Sequence, residues 1–524
     1  MPLIINNIKG GLDEKNASVI KKGLKKAGIP EKEVLRSGIY KTSLDARKRD
    51  SIHFVHSVYI ELSDAESEEK YTASDIRKIE KSVFAPEISG VKKDGRIVIA
   101  GFGPAGMFCG LVLAENGYKP LILERGEDAE ARVESVKNYW QGGSLNPESN
   151  VQFGEGGAGT FSDGKLTTRI NDPLCRYVLE RFTEFGAPEE ILIKAKPHIG
   201  TDNLRDIVRR IRERIIELGG EVKFSTRLDD LVIENNEVKK AVWNGGEAET
   251  AAIVAAIGHS ARDTFEMLCR KNIFMEPKPF SVGVRIEHTQ KSVDESLYGS
   301  LAGNPLLPVG EYQLSHRRKD GRCAYTFCMC PGGHVVPAAS EDKTTVTNGM
   351  SEFARDGENA NAAVAVSVSP EDFGGGVLGG VDFARKIEQA AYKATGNKAP
   401  ATTVGGFLNG SPSVKTSINP TYDRGVEACD LTGIFPKYVT DTLAEGLRVF
   451  SRKMKCFGDE NALMTAPETR TSSPVRICRT EERNSVSLGN FYPCGEGAGY
   501  AGGIMSAAVD GIKTALEIMK RIAP

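Results

Sequence analysis

The sequence predicts an α/β protein built on a Rossmann-like, three-layer ββα dinucleotide-binding domain. An α+β substrate domain is inserted into it, and a small α/β domain precedes it. Three observations carry this expectation. A strand, glycine turn, helix and strand follow one another from Arg96. A second glycine-rich loop leading into a helix stands at residues 494–521. The long stretch between, residues 263–488, carries strands and helices that fit neither unit. The expected domains are 1–90, 91–262 plus 489–524, and 263–488.

A chain of 524 residues with 40% hydrophobic content can bury a core of two or three domains. A net charge of −2 gives no global reason to expect nucleic acid or an anionic membrane as partner. The longest apolar run, residues 251–257, has strand length and falls far short of the ~20 residues of a membrane span. The start, "MPLIINNIKGG", lacks a basic region followed by a long apolar stretch, so no signal peptide is expected. The ten cysteines include no C-x-x-C pair. That usage points to a reducing, cytoplasmic location without a disulfide framework, a dithiol centre or a metal site. Cys328 and Cys330, in "FCMCPGG", are expected to be inert buried thiols on one face of a strand.

In residues 1–90, "LIINNI" and "SIHFVHSVYIEL" read as strands and "EKNASVIKKGLKKAG" as a helix with Val19, Ile20, Leu24 and Ala27 on its apolar face. "ASDIRKIEKSVF", residues 73–84, reads as a second helix. The basic segments "KKGLKK" and "DARKRD" are offset by "DAESEEK". They support only a weaker alternative, in which the N-terminal domain binds RNA or a protein partner and a cofactor held elsewhere in the chain is structural or sensory. Residues 87–95, "EISGVKKDG", read as a linker.

In "RIVIAGFGPAGMFCGLVLAENGYKPLILERG", residues 97–100 form a continuous apolar run, as expected of a parallel strand covered on both faces. The turn is Gly101-Phe102-Gly103-Pro104-Ala105-Gly106. Gly101 allows the tight turn, Gly103 lets the backbone approach a pyrophosphate, and Gly106 lets the helix pack close to the strand. The helix N-terminus then binds phosphate. Glu124, followed by Arg125, ends the second strand, where a carboxylate accepts hydrogen bonds from ribose hydroxyls and repels a 2′-phosphate.

Further on, Leu204, Ile207, Val208, Ile211, Ile215 and Leu218 share one face of a long helix. A strand and a hairpin starting near Leu228 follow, and then "TAAIVAAIGHSAR", with Ala256, Gly258 and Arg262. From here the chain resembles flavoproteins of the glutathione-reductase type with two dinucleotide-binding domains, whose fingerprint is followed by an apolar strand ending in a small residue and glycine. The family's third element, a C-terminal strand entering a G-D/E loop and a helix, matches "NFYPCGEGAGYAGGIMSAAVDGI". The resemblance implies FAD, with Gly495, Glu496, Gly502, Gly503 and Ile504 beside it. Glu496 stands where the family usually has Asp. "NVQFGEGGAGTFSDGKLTTR" adds Gly156, Gly157, Gly159, Thr160 and Lys165 to the expected cofactor contacts, with Lys165 placing a cation near the ring. Together with "ERG" and "CMCPGG", these stretches are similar to a set of poorly characterised bacterial and plastid FAD-dependent dehydrogenases. The similarity runs from about residue 95 onward and implies no particular substrate.

In residues 263–488, "FSVGVRIEH" and "CAYTFCMCPGGHVVPAA" read as strands, and "DFARKIEQAAYKAT" and "VTDTLAEGLRVFSRKM" as helices. The candidate catalytic groups are Lys165, His288 and His334, with Arg285 and Lys415 as further candidates for proton donation or carboxylate anchoring. A separate nicotinamide domain of the disulfide-reductase kind is not expected, so NAD(P)H is compatible only as a transient reductant. The expected activity is hydride transfer between a small organic substrate and the flavin, in a dehydrogenase or reductase.

Overall fold

The computed structural model describes residues 2–64, 70–71, 73–79 and 86–524. Among them no helix is long and apolar enough to cross a membrane.

The chain opens with strand β1 (Leu3–Gly10), helix α1 (Asn16–Ala27) and strands β2 (Val34–Asp45), β3 (His53–Leu62) and β4 (Ile76–Lys78). The strands form one sheet in the order β2-β3-β1-β4. Val19 and Leu24 of α1 pack on Leu3, Ile5, Val58 and Ile60. The second helix expected over 73–84 is corrected here. Ile76–Lys78 pairs antiparallel with β1, Leu3 opposite Lys78, because the open edge of β1 offers backbone partners that an isolated short helix lacks. Residues 80–84 of that expectation lie outside the described residues. Strand β2 was not anticipated, since its half-exposed side chains show no clean alternation. The sheet docks on the next domain through Thr42, whose N–H donates to Ile193 O (2.8 Å) and whose O accepts from Ala195 N–H (2.8 Å).

The central domain continues with β5 (Arg96–Ala100), α2 (Pro104–Glu115), β6 (Leu121–Leu123), α3 (Ala129–Trp140), α4 (Leu174–Glu184), α5 (Thr201–Glu217), β7 (Glu221–Lys223), β8 (Leu228–Glu234), β9 (Glu237–Trp243), β10 (Gly246–Ala255) and α6 (Arg262–Arg270). Strands β7, β6, β5 and the second half of β10 run parallel. The first half of β10 pairs antiparallel with β9, and β9 with β8. One long strand therefore belongs to two layers, with α2 and α5 on the far face of the parallel sheet.

A second domain follows, with β11 (Met275–Pro277), β12 (Phe280–Thr289), α7 (Gln290–Tyr298), β13 (Ser315–Arg317), β14 (Cys323–Cys330), β15 (His334–Pro337), β16 (Thr347–Met350), β17 (Asn359–Val368), α8 (Gly379–Thr395), β18 (Ala399–Thr403), α9 (Val404–Leu408), β19 (Val426–Ala428), α10 (Lys437–Lys453) and β20 (Leu463–Glu468); β15 and β16 pair with each other as a separate two-stranded sheet. Seven of these strands order as β13-β14-β17-β12-β20-β18-β19. All pairings are antiparallel except β18 with β19. Helices α8 and α10 cover this sheet with Ala384, Ile387, Leu443 and Phe450.

The chain then returns. Strand β21 (Val475–Ile477) pairs with β11, β22 (Phe491–Pro493) joins the parallel sheet beside β10, and α11 (Ile504–Arg521) packs on α2. The helices meet so closely that a Cβ on Gly511 would lie 2.1 Å from Ala105 O. Ile504, Met505, Val509, Ile512, Ile518 and Met519 are buried in the same core as α2. Together they contribute on the order of 10 kcal/mol of apolar burial. Residues 90–91 clasp the end of α11 through Gly90 N–H to Met519 O (3.2 Å) and Ala523 N–H to Val91 O (3.0 Å).

Candidate functional site

A cavity of about 360 Å³ lies where the central domain faces the second sheet. Two helix N-termini open onto it. At the first, Gly103, Pro104 and Ala105 line the wall, and α2 begins with no side-chain cap and no acidic residue in its first turn. At the second, Gly502, Gly503 and Ile504 line the wall, and α11 begins in the same way. Each leaves partly positive backbone N–H groups directed at the cavity, which favours an anionic or electron-rich ligand.

The glycines earn their places differently. Gly101 has φ +100, and a Cβ there would sit 2.3 Å from Ala256 O. A Cβ on Gly106 would sit 2.0 Å from Gly101 O, so α2 could not approach β5. Gly103 has an ordinary φ of −75, and a Cβ would meet only Gly157 Cα at 3.7 Å. Its smallness keeps space free in the cavity. Gly258, Gly502 and Gly503 also border open space, so side chains there would fill the cradle.

Glu124 is buried, and its carboxylate accepts from Phe102 N–H (2.8 Å), Gly126 N–H (2.9 Å) and Gly154 N–H (2.9 Å). One side chain thus fastens three loops of the wall. Arg125 is paired with Asp263 (2.9 and 3.0 Å) and Glu148 (2.9 Å) and lies over the Phe153 ring. Arg132, which sequence reasoning missed, is fully buried under the 150–160 loop. It donates to Asn150 O (2.9 Å), Val151 O (3.1 Å), Glu155 O (2.7 Å), Gly157 O (2.9 Å) and Thr160 Oγ1 (2.6 Å). Gly154, at φ +121, leaves room for it: a Cβ would lie 2.3 Å from Arg132 Cδ.

Of the expected cofactor contacts, Leu228, Gly157, Gly159, Lys165, Ala256, Gly258 and Glu496 also line the cavity. Gly106, Gly156, Thr160 and Gly495 stand behind the wall. Gly156 packs on Thr160, and Gly495 donates its N–H to Asp510 (2.7 Å). Asp510 in turn binds Arg479 (2.9 and 2.8 Å) and Arg483, which hold its carboxyl down to about 2 while burial opposes them. Arg262 does not reach the cavity. Its guanidinium is taken up by Glu388 (2.8 and 2.7 Å) and Glu341 (2.6 Å) in the interior.

The catalytic candidates separate. Lys165 lines the cavity, with Nζ on Met329 O and 3.3 Å from Glu311. His288 lies away from it, packed on Phe457 (4.8 Å between ring centres), and burial lowers it to about 4, so it stays a neutral core side chain. His334 and Lys415 are exposed and do not line the cavity. Arg285 is fully buried, bidentate to Glu468 (2.9 and 3.1 Å), one layer behind the wall. His259, missed by the sequence reading, does line it. Burial, with Arg470 and Arg262 nearby, lowers it to about 3, which keeps its imidazole neutral. The wall also includes Cys328, which is only partly buried where a buried thiol was expected.

Glu496 faces the cavity beside the start of α11, and burial raises it to about 7, partly offset by the Gly503 N–H and Lys278. The folded chain therefore holds a proton that the unfolded chain releases above ~4.3. Stability from this group is full below that pH and is lost as pH rises through about 7. In cofactor-free protein, Glu496→Gln is expected to flatten the fall in stability between pH 5 and 7 by up to about 3 kcal/mol. Denaturant melts across that range check it, and an unchanged slope would place the Glu496 carboxyl in water.

Residues 279–471 match a family model described as FAD-dependent protein, C-terminal domain-like, and residues 1–61 match a domain of unknown function. An uncharacterized protein of Clostridium beijerinckii is 45% identical over 534 residues, covering 99% of both chains. Among solved structures, a glycine oxidase from Bacillus cereus is 11% identical over 82% of this chain and 95% of its own, with a TM-score of 0.35. A geranylgeranyl bacteriochlorophyll reductase-like protein from Thermoplasma acidophilum is 11% identical over 82% and 79%, with a TM-score of 0.36. Scores this low carry no weight for function.

Proposed function

The chain belongs to the family of the uncharacterized Clostridium beijerinckii protein, and we propose that it is an FAD-dependent oxidoreductase moving a hydride between the flavin and a small organic substrate. The observation that carries this reading is the convergence of two uncapped helix N-termini on one glycine-lined cavity. FAD is the cofactor. When bound, it supplies a ring that takes up or releases a hydride. The residues that would hold it are Gly103–Ala105 and Gly157 at the diphosphate, Glu124 and Arg125 at the adenosine end, and Glu496 with Gly502–Ile504 at the ring end.

The chain's own groups prepare the rest. Glu124 and Arg132 fix the loops, so the wall is ordered before a ligand arrives. The Glu496 carboxyl, raised to about 7, can hold or release a proton near neutrality. Lys165 offers a cation to an anionic group in the cavity. The second domain contributes Asn348, Glu468 and Thr471 to the cavity wall, where a substrate would sit.

The experiment is anaerobic mixing of the yellow protein with NADH and NADPH, followed by a screen for compounds that restore the flavin spectrum. Bleaching by a nicotinamide or by a small organic donor is expected. Failure of every donor and acceptor to change the spectrum would contradict an oxidoreductase and leave a flavin-binding protein of another kind.

A further inference from the structure

The seven-stranded sheet of the second domain turns one face to α10, with Ala324, Val364 and Ile286 packed in the core beneath the helix. Register sets Phe327 opposite Ala363, and Ala363 opposite Arg285, in one row on the other face. Ala363 is too small to cover an aromatic ring, and β14 shifts register against β17 between Phe327 and Cys330. The Phe327 ring is left 41% exposed at the cavity wall. A phenylalanine so placed offers a flat face to a flat ligand.

Asn348, on β16, is held beside it by one guanidinium. Its Oδ1 accepts from Arg285 Nη2 (2.9 Å) and from Gly349 N–H (2.8 Å). Arg285 Nη1 donates to Cys328 O (2.8 Å), next in the chain to Phe327. A guanidinium carries donors only, so it fixes which end of the amide turns inward. The NH2 group of Asn348 is left to the cavity that this residue lines, with no protein acceptor among the described residues. The charges that the second domain brings to the wall are already matched: Glu468 by Arg285 (2.9 and 3.1 Å) and Arg470 by Glu388 (3.1 and 3.2 Å). Lys165, from the central domain, lies 3.3 Å from Glu311 and serves the cofactor in the flavin reading. An ionic substrate against Asn348 and Phe327 would lose its water without gaining a counter-charge.

This wall suits a neutral, flat molecule with an acceptor oxygen, and the flavin reading requires one that exchanges a hydride. We infer, resting on that reading, that the electron acceptor of the reduced cofactor is a quinone, its ring against Phe327 and one carbonyl oxygen on the Asn348 amide. A hydride passes from the reduced flavin to the quinone, a proton follows from water, and a hydroquinone leaves with both electrons. The amide donates to the oxygen that gains charge as the hydride arrives.

The test uses the full-length, FAD-loaded protein with its flavin photoreduced anaerobically, so no natural donor is needed. Stopped-flow mixing with duroquinone is expected to give a reoxidation rate that saturates with quinone concentration. Ferricyanide, a small anionic oxidant, measures flavin reactivity alone and normalises each protein. Asn348→Asp keeps an oxygen on Arg285 and replaces the donor by an acceptor. That variant and Phe327→Ala, which changes an exposed side chain, are each expected to retain FAD. Each should raise the half-saturating duroquinone concentration roughly ten-fold or more. Phe327→Tyr keeps the ring and is expected to match the parent. A duroquinone rate that is linear in concentration and equal in all proteins after normalisation would overturn the inference. Loss of FAD from either variant would overturn it too, by making that side chain a cofactor contact. A chain that takes up no FAD overturns the flavin reading itself, and shows this before any quinone is added.

Discussion

Gly106→Val is expected to abolish FAD retention and to destabilise the central domain, whereas Gly103→Val loses FAD and keeps the fold. The two positions lie three residues apart in one turn and meet different surroundings. A Cβ on Gly106 would lie 2.0 Å from Gly101 O and 3.2 Å from Ile99 Cγ2, so α2 must move off β5. A backbone collision exceeds ordinary overpacking, which costs about 1–3 kcal/mol. That shift also pulls the first turn of α2 from the cavity. A Cβ on Gly103 meets nothing nearer than Gly157 Cα at 3.7 Å, and φ −75 suits any residue. Valine there is expected to leave the melting temperature of the cofactor-free protein within a few degrees and to weaken FAD binding by on the order of 100-fold, about 2.7 kcal/mol. Melting curves of both cofactor-free variants, with FAD titrations of Gly103→Val, separate the two roles. Unchanged FAD binding by Gly103→Val would place the diphosphate elsewhere.

Glu468→Ala carries the second large effect. Arg285 is wholly buried, and its principal charge partner is the Glu468 carboxylate (2.9 and 3.1 Å). Removing the carboxylate leaves a guanidinium with neutral partners only: Asn361 Oδ1 (3.0 Å), Asn348 Oδ1 (2.9 Å) and Cys328 O (2.8 Å). Breaking such a pair on one side costs about 3–5 kcal/mol. For a domain of this size that is a fall of roughly 6–20 °C in melting temperature. The double variant Arg285→Met, Glu468→Leu removes both charges and is expected to recover much of the loss. Scanning calorimetry of the three proteins checks this. A single variant that melts with the parent would show that water reaches Arg285.

The elements legible in the sequence are those whose cause is local. β5, its glycine turn, α2 and β6 form one short unit, and Gly106 is explained by Gly101 within the turn and Ile99 on the strand before it. The C-terminal loop and α11 were legible for the same reason, and in the second domain so were β12, β14, β15, α8 and α10, while its other strands and helices were not. What escaped depends on partners far apart in sequence. Arg132 serves a loop some twenty residues on, and nothing in "EARVES" marks it. Arg262 looked like a cofactor contact because it follows Gly258 closely, yet Glu388 and Glu341 claim it from the second domain. His288 sits on a strand aimed into an aromatic cluster, which its period-two pattern could not reveal. Ile76 and Ile79, three residues apart, fit a helical period, and backbone pairing of Ile76–Lys78 with β1 overrode it. The bulge at Cys328 changes which face a thiol presents, and a bulge leaves no signature in "YTFCMCPGG".

The central claim is that the cavity between the two helix N-termini holds FAD. Its most direct measurement is equilibrium titration of the cofactor-free chain with FAD, followed by flavin fluorescence, with FMN and NAD as competitors. One FAD per chain, displaced by neither competitor at equal concentration and lost in Gly103→Val, is the predicted result. A chain that takes up no FAD, or binds FMN equally well and is indifferent to Gly103→Val, would contradict it.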